Sequence, residues 1–318
     1  MAITINGSGT VTGLSVGGLP DGTVDSGTLA TDSVTAVKIP DTVESSLKSG
    51  RKNLLINGGF DVWQRGTSFS GVSNGAYTAD RWTILDSVGN NITTVTPKTT
   101  TDKYTYVEKT SGTGSGGLHQ FVEINHLIPS GTNLVISFDG THLSGTNSYR
   151  VVIQYRPNSS WSGVSSEIGT LTFVTSEGLN SLTVTTTEDM VQGDMAVKIL
   201  PNTTGNYKYG IAEVQLELGS VATDFEHRSY GEELALCQRY YEAGSWPNYF
   251  RMMDTSDGYT QHVTYFKTTK RAPPTITSTW STSNPTNPMN VHSIDGFTSL
   301  DTNGGHHYMT SYTADAEL

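Results

Sequence analysis

The chain has 318 residues, 15% of them charged, with a net charge of -11 and a single cysteine, Cys237. Nucleic acid demands a clustered basic face, and here Lys and Arg gather only at Arg51-Lys52 and from Lys267 to Arg271. One cysteine excludes an intrachain disulfide framework, and no run approaches the roughly 18 apolar residues of a membrane span. The opening MAITINGSG has neither the basic start nor the apolar core of a signal peptide. These features point to a protein made and assembled inside a cell, with no nucleic-acid partner and no membrane insertion.

The 34 glycines and abundant Thr, Ser and Asn suit extended β-structure with many turns. A hydrophobic content of 35% is low for several independent cores, so part of the burial is expected from partner chains. Residues 1–40 carry isolated apolar positions (Val11, Leu14, Val16, Leu19, Val24, Leu29, Val34, Val37, Ile39) separated by Gly, Ser, Thr and Asp. Such spacing buries no face within one chain. Burial between chains or against a docking surface would order it, and disorder is the alternative for the free protein. Asp41 then caps a short helix with Glu44 at the capping-box spacing, and Gly50 ends it.

Residues 53–226 read as a β-domain. Strands are predicted at Leu54–Ile56, Arg81–Leu85, Tyr104–Glu108, Leu118–Ile124, Asn133–Asp139, Tyr149–Tyr155, Gly169–Val174, Ser181–Thr187, Met195–Ile199 and Tyr209–Leu218. Tyr149, Val151, Ile153 and Tyr155 alternate onto one face, and Ala212, Val214, Leu216 and Leu218 oppose Glu213, Gln215 and Glu217. About ten short strands with turns between them suggest a jelly-roll sandwich. Ser229 and Glu232 then open a helix over 229–243, with Leu234, Cys237 and Tyr241 on its apolar side and Gly244 and Pro247 stopping it. Cys237 is expected to be a small buried hydrophobe. Strands resume at Gly258–Lys267, Thr275–Trp280, Gly296–Leu300 and His307–Thr313, around a polar Pro-rich loop, Ser281–Asn290.

Four sequence matches to chemical motifs are discounted on context. Gly112–Gly117 fits G-x-G-x-x-G, but a strand follows where the fingerprint needs a helix. Gly71–Gly75 fits G-x-S-x-G, but lies in a Ser/Gly/Asn loop instead of a strand-to-helix elbow. His306 and His307 point to opposite faces of a strand, and Asp254–Gly258 lacks the full oxygen spacing of a calcium loop. No acidic pair stands in a context marking glycoside hydrolysis. Aromatics are the stronger signal, because a sugar ring lays its apolar C–H side on an aromatic face. Trp161 lies in a polar loop, and Trp246, Tyr249, Phe250 and Tyr259 cluster beyond the helix. Trp63 and Trp82 are expected to pack.

Two phrases carry a resemblance: NLLINGGFDVWQRGTSF at residues 53–69 and VQLELGSVATDFEHRSYGEELALCQRYYE at 214–242. Both resemble those of bacteriophage tail fibre proteins with small modular fibres. The opening ITINGSGTVTGLSVGGLPDGTVDSGTLATDSVTAVKIPDTV is similar to the segment by which such proteins join the tail, and RAPPTIT with YTADAEL is similar to their last domain. The first phrase also resembles the opening strand of jelly-roll carbohydrate-binding modules, with Asp61 at an acidic position that sometimes holds structural calcium and Glu213 as an approximate partner.

The resemblance implies a mostly β chain: residues 1–50 for tail attachment and trimerisation, 51–227 a jelly-roll sandwich, 228–244 a connecting amphipathic helix, and 245–318 a smaller β tip. It implies a homotrimeric virion component, assembled in the host cytoplasm, that joins tail or baseplate proteins through residues 1–50. Such a chain binds a host glycan or outer-membrane protein without cofactor, metal or catalysis. A glycan-cleaving fibre and a purely structural tail or baseplate component are the alternatives. Receptor binding is expected on Trp246, Tyr249, Tyr259, Asn284, Asn287 and Asn290 of the tip, with Trp161 on the body as competitor.

Overall fold

The computed structural model describes residues 4–5, 11–12, 51–86, 92–111, 116–124, 127–145, 148–156, 166–174, 178–191, 193–201, 205–245, 250–253, 260–280, 287–301 and 309–317. The chain divides into two compact units, Met1–Gly50 and Arg51–Leu318. In the first, β1 (Thr4–Ile5) and β2 (Val11–Thr12) pair antiparallel, Ile5 opposite Val11. The short helix expected after Asp41 lies outside the described residues.

The second unit begins with an antiparallel sandwich. Its strands are β3 (Phe69–Val72), β4 (Thr83–Asp86), β5 (Ile92–Thr96), β6 (Thr105–Lys109), β7 (Gly116–Ile124), β8 (Asn133–Ser144), β9 (Ser148–Arg156), β10 (Ser166–Val174), β11 (Gly178–Thr185), β12 (Gly193–Pro201) and β13 (Tyr207–Leu218). One sheet runs β10-β9-β12-β7-β4 and the other β11-β8-β13-β6-β5-β3. Alternate residues of both enter one core, among them Val151, Ile153 and Tyr155 of β9 and Met195, Val197 and Ile199 of β12. The chain is therefore mostly β, with the expected sandwich as its body.

Several expectations need correction. Leu54–Ile56 is no strand. Its amides go to single partners: Leu54 N to Leu216 O at 2.8 Å, Leu55 N to Asn53 Oδ1 at 3.0 Å, Ile56 N to Gln120 Oε1 at 2.9 Å. The strand expected from Arg81 starts at Thr83, because Arg81 turns at φ 72 and Trp82 N donates back to Ala79 O. Strands β3 and β5 were not anticipated; their Ser/Gly and Thr sequences look like loop. In β13 the register slips between Ala212 and Gln215, with Glu213 at φ 54. This bulge carries both Ile211 and Val214 into the core, and Gln215 and Glu217 are buried where polar exposure was expected.

Helix α1 (Tyr230–Gln238) starts as predicted, Glu232 N donating to Ser229 Oγ at 3.3 Å. It stops five residues short of the predicted 243. The reason is sheet pairing: β14 (Tyr241–Ser245) aligns with β20 (Met309–Asp315), and Ala316 N donates to Tyr240 O at 2.7 Å. Its buried residues are Glu233, Cys237 and Gln238, while Leu234 and Leu236 are only half-buried. Cys237 is fully buried, and burial holds its thiol well above the usual range.

The remaining strands are β15 (Phe250–Met253), β16 (Thr260–Tyr265), β17 (Thr275–Trp280), β18 (Asn287–His292) and β19 (Gly296–Asp301). They form a three-stranded sheet, β14-β20-β17, and a four-stranded one, β15-β16-β19-β18. A second core of Ile276, Phe297, Met309, Tyr312 and Ala314 lies among them, with Phe266 and Trp280 packed against it. The loop expected over 281–290 is strand from Asn287. Its register slips between Asn287 and Val291, and as an edge strand it tolerates Pro288.

Candidate functional site

Of the residues predicted to bind a receptor, Trp161, Trp246, Tyr249, Tyr259 and Asn284 lie outside the described residues. Asn287 and Asn290 stand on the edge strand β18, not in a loop. Of the four discounted motifs, His306–His307 and Asp254–Gly258 lie outside the described residues. Gly116 and Gly117 open strand β7. Gly71 and Val72 end strand β3 instead of lying in a loop, and a turn and strand β4, not a helix, follow Gly75. Asp61 faces Lys98 Nζ at 2.5 Å, so an ammonium sits on that carboxylate. Among the described residues no group of three or more His, Cys, Asp or Glu could hold a metal.

A site that sequence reasoning missed lies on the outer face of the six-stranded sheet. Alternation in β6 sends Thr105 and Val107 inward and Tyr106 and Glu108 outward, with Tyr104 just before the strand. Gly210 of β13 lies between Tyr106 of β6 and Thr141 of β8. A Cβ there would fall 2.7 Å from Thr141 Cγ2, 2.8 Å from Tyr106 Cε1 and 2.9 Å from Tyr104 Cβ. The missing side chain is what lets two tyrosine rings lie close to the sheet. They are half-buried, with centroids 6.2 Å apart and planes inclined at 52°.

Polar groups fix both rings. Tyr104 OH donates to Asp139 Oδ1 at 2.9 Å, and Tyr106 OH donates to Asp102 Oδ2 at 2.8 Å. Asp102 is itself placed by a turn: its N donates to Thr99 Oγ1 at 3.1 Å, and its Oδ1 accepts from Tyr104 N at 3.0 Å. Lys103 pairs with Asp139 and lies 5.4 Å from the Tyr104 centroid; Lys208 pairs with Glu108 at 3.4 Å and lies 5.7 Å from that of Tyr106. The bond to Asp139 raises the Lys103 pKa above its ordinary value. Carboxylates that accept, ammonium groups that donate and two apolar ring faces thus share one surface. That combination meets both sides of a pyranose, its C–H face and its hydroxyls. The sequence signal was present as Asp102-Lys-Tyr-Thr-Tyr106, aromatics at period two amid charges. What it lacked was the glycine opposite, about a hundred residues away in the chain.

The outer face of the other sheet is of a different kind. Arg156 Nε binds Asp194 Oδ1 at 2.6 Å, its guanidinium lies 3.9 Å from the Phe121 centroid, and His119 meets that ring edge-on at 4.2 Å. Arg156, Asp194 and His119 are all buried. Burial, then the charges of Lys198 and Arg156, push the His119 pKa down to about 3, so the imidazole is neutral. This cluster is internal structure.

No protein-family model and no curated protein sequence matches the chain. Solved structures similar to it include a carbohydrate-binding module, CBM4, at 12% identity over 44% of this chain and 95% of that one, with TM-score 0.32. TmCBM61 in complex with beta-1,4-galactotriose is similar at 14% identity over 53% of this chain and 100% of that one, with TM-score 0.32. The enzymatically active domain of tailspike protein 4 of bacteriophage CBA120 is similar at 14% identity over 48% of this chain and 21% of that one, with TM-score 0.33. The structural neighbours thus include carbohydrate-binding modules and a phage tailspike domain, and at these scores none bears on ligand or role.

Proposed function

We propose that this chain binds glycan through its sandwich, on the Tyr104–Tyr106 platform, as a non-catalytic component of a viral tail fibre. The observation that carries the reading is the pair of tyrosine rings laid over Gly210 and fixed by Asp102 and Asp139. In this reading residues 1–50 join tail or baseplate proteins, the chain is a homotrimer in the virion, and several weak sites act together on the host surface. Removing both rings, Tyr104→Ala with Tyr106→Ala, is expected to weaken binding to host-surface polysaccharide about thirtyfold, at roughly 1 kcal/mol per ring. Isothermal titration against purified polysaccharide measures it. Unchanged affinity in a folded double variant sinks the assignment, and shortened polysaccharide after incubation would instead support a glycan-cleaving fibre.

A second reading keeps recognition on the C-terminal sheets. Tyr265 of β16 is 73% exposed there and Ile294 is 38% exposed. Replacing residues 282–290 by a Gly/Ser linker should then abolish adsorption while the tyrosine variant adsorbs normally. For the oligomer, light scattering of the full chain is expected to give about three times the chain mass, as closed threefold symmetry requires. A monomer at micromolar concentration rules out the trimer.

A further inference from the structure

Asp315 ends the last strand of the C-terminal sheets and residues 316–317 follow it, yet the Asp315 and Glu317 side chains bind the sandwich. Arg81 is fully buried, and its guanidinium pairs with Glu317, donates to Phe121 O at 2.6 Å and lies 3.5 Å from the Tyr240 ring centroid. Arg65 pairs with the same Glu317 at 3.2 Å and with Asp315 at 3.5 Å, lying 3.5 Å from the Tyr241 ring centroid. Both arginines come from the part of the sandwich that precedes or opens β4, more than 230 residues before their acidic partners.

Backbone groups complete the seat. Arg271 donates from Nε to Ala316 O at 3.0 Å and from Nη2 to Glu317 O at 3.2 Å. Ala316 N donates to Tyr240 O, and Glu317 N to Asp315 Oδ1 at 3.0 Å. At the rim, Glu123 of β7 accepts from Arg239 at 2.9 Å and from Tyr240 OH at 2.8 Å. These contacts differ in kind from what holds either part. The sandwich and the C-terminal sheets each have their own apolar core. What joins them here is ionic and aromatic.

We infer that residues 315–317 are an intramolecular latch, a segment that docks in the Arg65–Arg81 seat and fixes the C-terminal sheets on the sandwich. Its charges are what make it a latch. A carboxylate seated between two arginines is held far more strongly than an exposed pair, and removing one partner leaves a buried charge uncompensated. Because each side keeps its own core, opening the latch releases the C-terminal sheets while the sandwich stays folded. Closed, it makes the Tyr104–Tyr106 surface and the C-terminal sheets move as one body, although the latch does not depend on what either surface binds.

Hydrogen exchange on the full chain tests this. In Glu317→Gln, amides of 309–315 and 275–280 should exchange at least about tenfold faster, while those of 193–201 and 207–218 keep their protection. The half-exposed rim variant Arg239→Ala should change neither set. If Glu317→Gln does not yield folded protein, Asp315→Asn, which removes the outer pair with Arg65, should give the same pattern with a smaller amplitude. Two results overturn the inference. One is equal acceleration in all four segments, which would mean a single cooperative core; the other is no acceleration in 309–315, which would mean the ion pairs hold nothing.

Discussion

Asn57→Ala is expected to lower the melting temperature of the chain by more than about 8 °C, for a loss of roughly 4 kcal/mol. Asn57 is fully buried, and its short side chain makes four hydrogen bonds. Its Oδ1 accepts from Asp61 N at 2.8 Å and Val62 N at 3.0 Å, and its Nδ2 donates to Val62 O and Asp80 O, both at 2.9 Å. Alanine removes all four bonds: Val62 O keeps the one from Asp80 N at 3.0 Å, but Val62 N, Asp80 O and Asp61 N lose these partners, and an unmade buried bond costs more than a made one contributes. The backbone adds to the effect. Asn57 sits at φ 59, a region asparagine tolerates and alanine does not favour. Its own carbonyl receives Trp82 Nε1 at 2.9 Å, so displacement also disturbs the largest buried ring, stacked on Phe60 at 5.1 Å. Asn180→Ala is the control. That side chain makes one local bond, Nδ2 to Gly178 O, and should cost under about 1 kcal/mol. Calorimetry that places Asn57→Ala within about 2 °C of the parent would show the network is dispensable.

This network also explains what the sequence did and did not disclose. Alternating strands such as β9 and β12 were legible, because a half-buried strand must place apolar residues at period two. The phrase at 53–69 stood out, but its purpose could not be read from local pattern. Asn53, Gln64 and Arg65 find partners at Val214, Tyr241 and Glu317, between 161 and 252 residues away. The bulge in β13 was hidden for a similar reason. Nothing in Ile-Ala-Glu-Val forbids regular alternation, and only pairing with β8 reveals the slip. The helix end was misjudged because Tyr240 and Tyr241 suit helix and strand alike, and β20 decides between them. The tyrosine platform was half legible. Aromatics at Tyr104 and Tyr106 could be seen, but packing and binding look alike until Gly210 is placed beneath them.

Lys270→Met is expected to destabilise the C-terminal sheets by about 3–5 kcal/mol, and adding Glu242→Gln to recover much of that loss. Lys270 Nζ is completely buried and donates to Glu242 Oε2 at 2.6 Å, Gln238 O at 2.6 Å and Thr268 O at 3.2 Å. Burial pulls the Lys270 pKa below its ordinary value, and Glu242 opposes that shift. Glu242 in turn accepts from Tyr312 OH at 2.7 Å and from Lys267 N at 3.1 Å, and burial with this contact raises the Tyr312 pKa. Methionine fills much of the lysine volume, so the single variant isolates the lost charge and not a cavity. It strands a buried carboxylate against a neutral neighbour. Glutamine at 242 removes that charge and keeps an acceptor for Tyr312, which is why the double variant should recover. Denaturant titration of the parent, both single variants and the double gives the coupling directly. Additive losses would mean that Tyr312 and the Lys267 amide already compensate Glu242, and that Lys270 serves only to satisfy the two carbonyls it reaches.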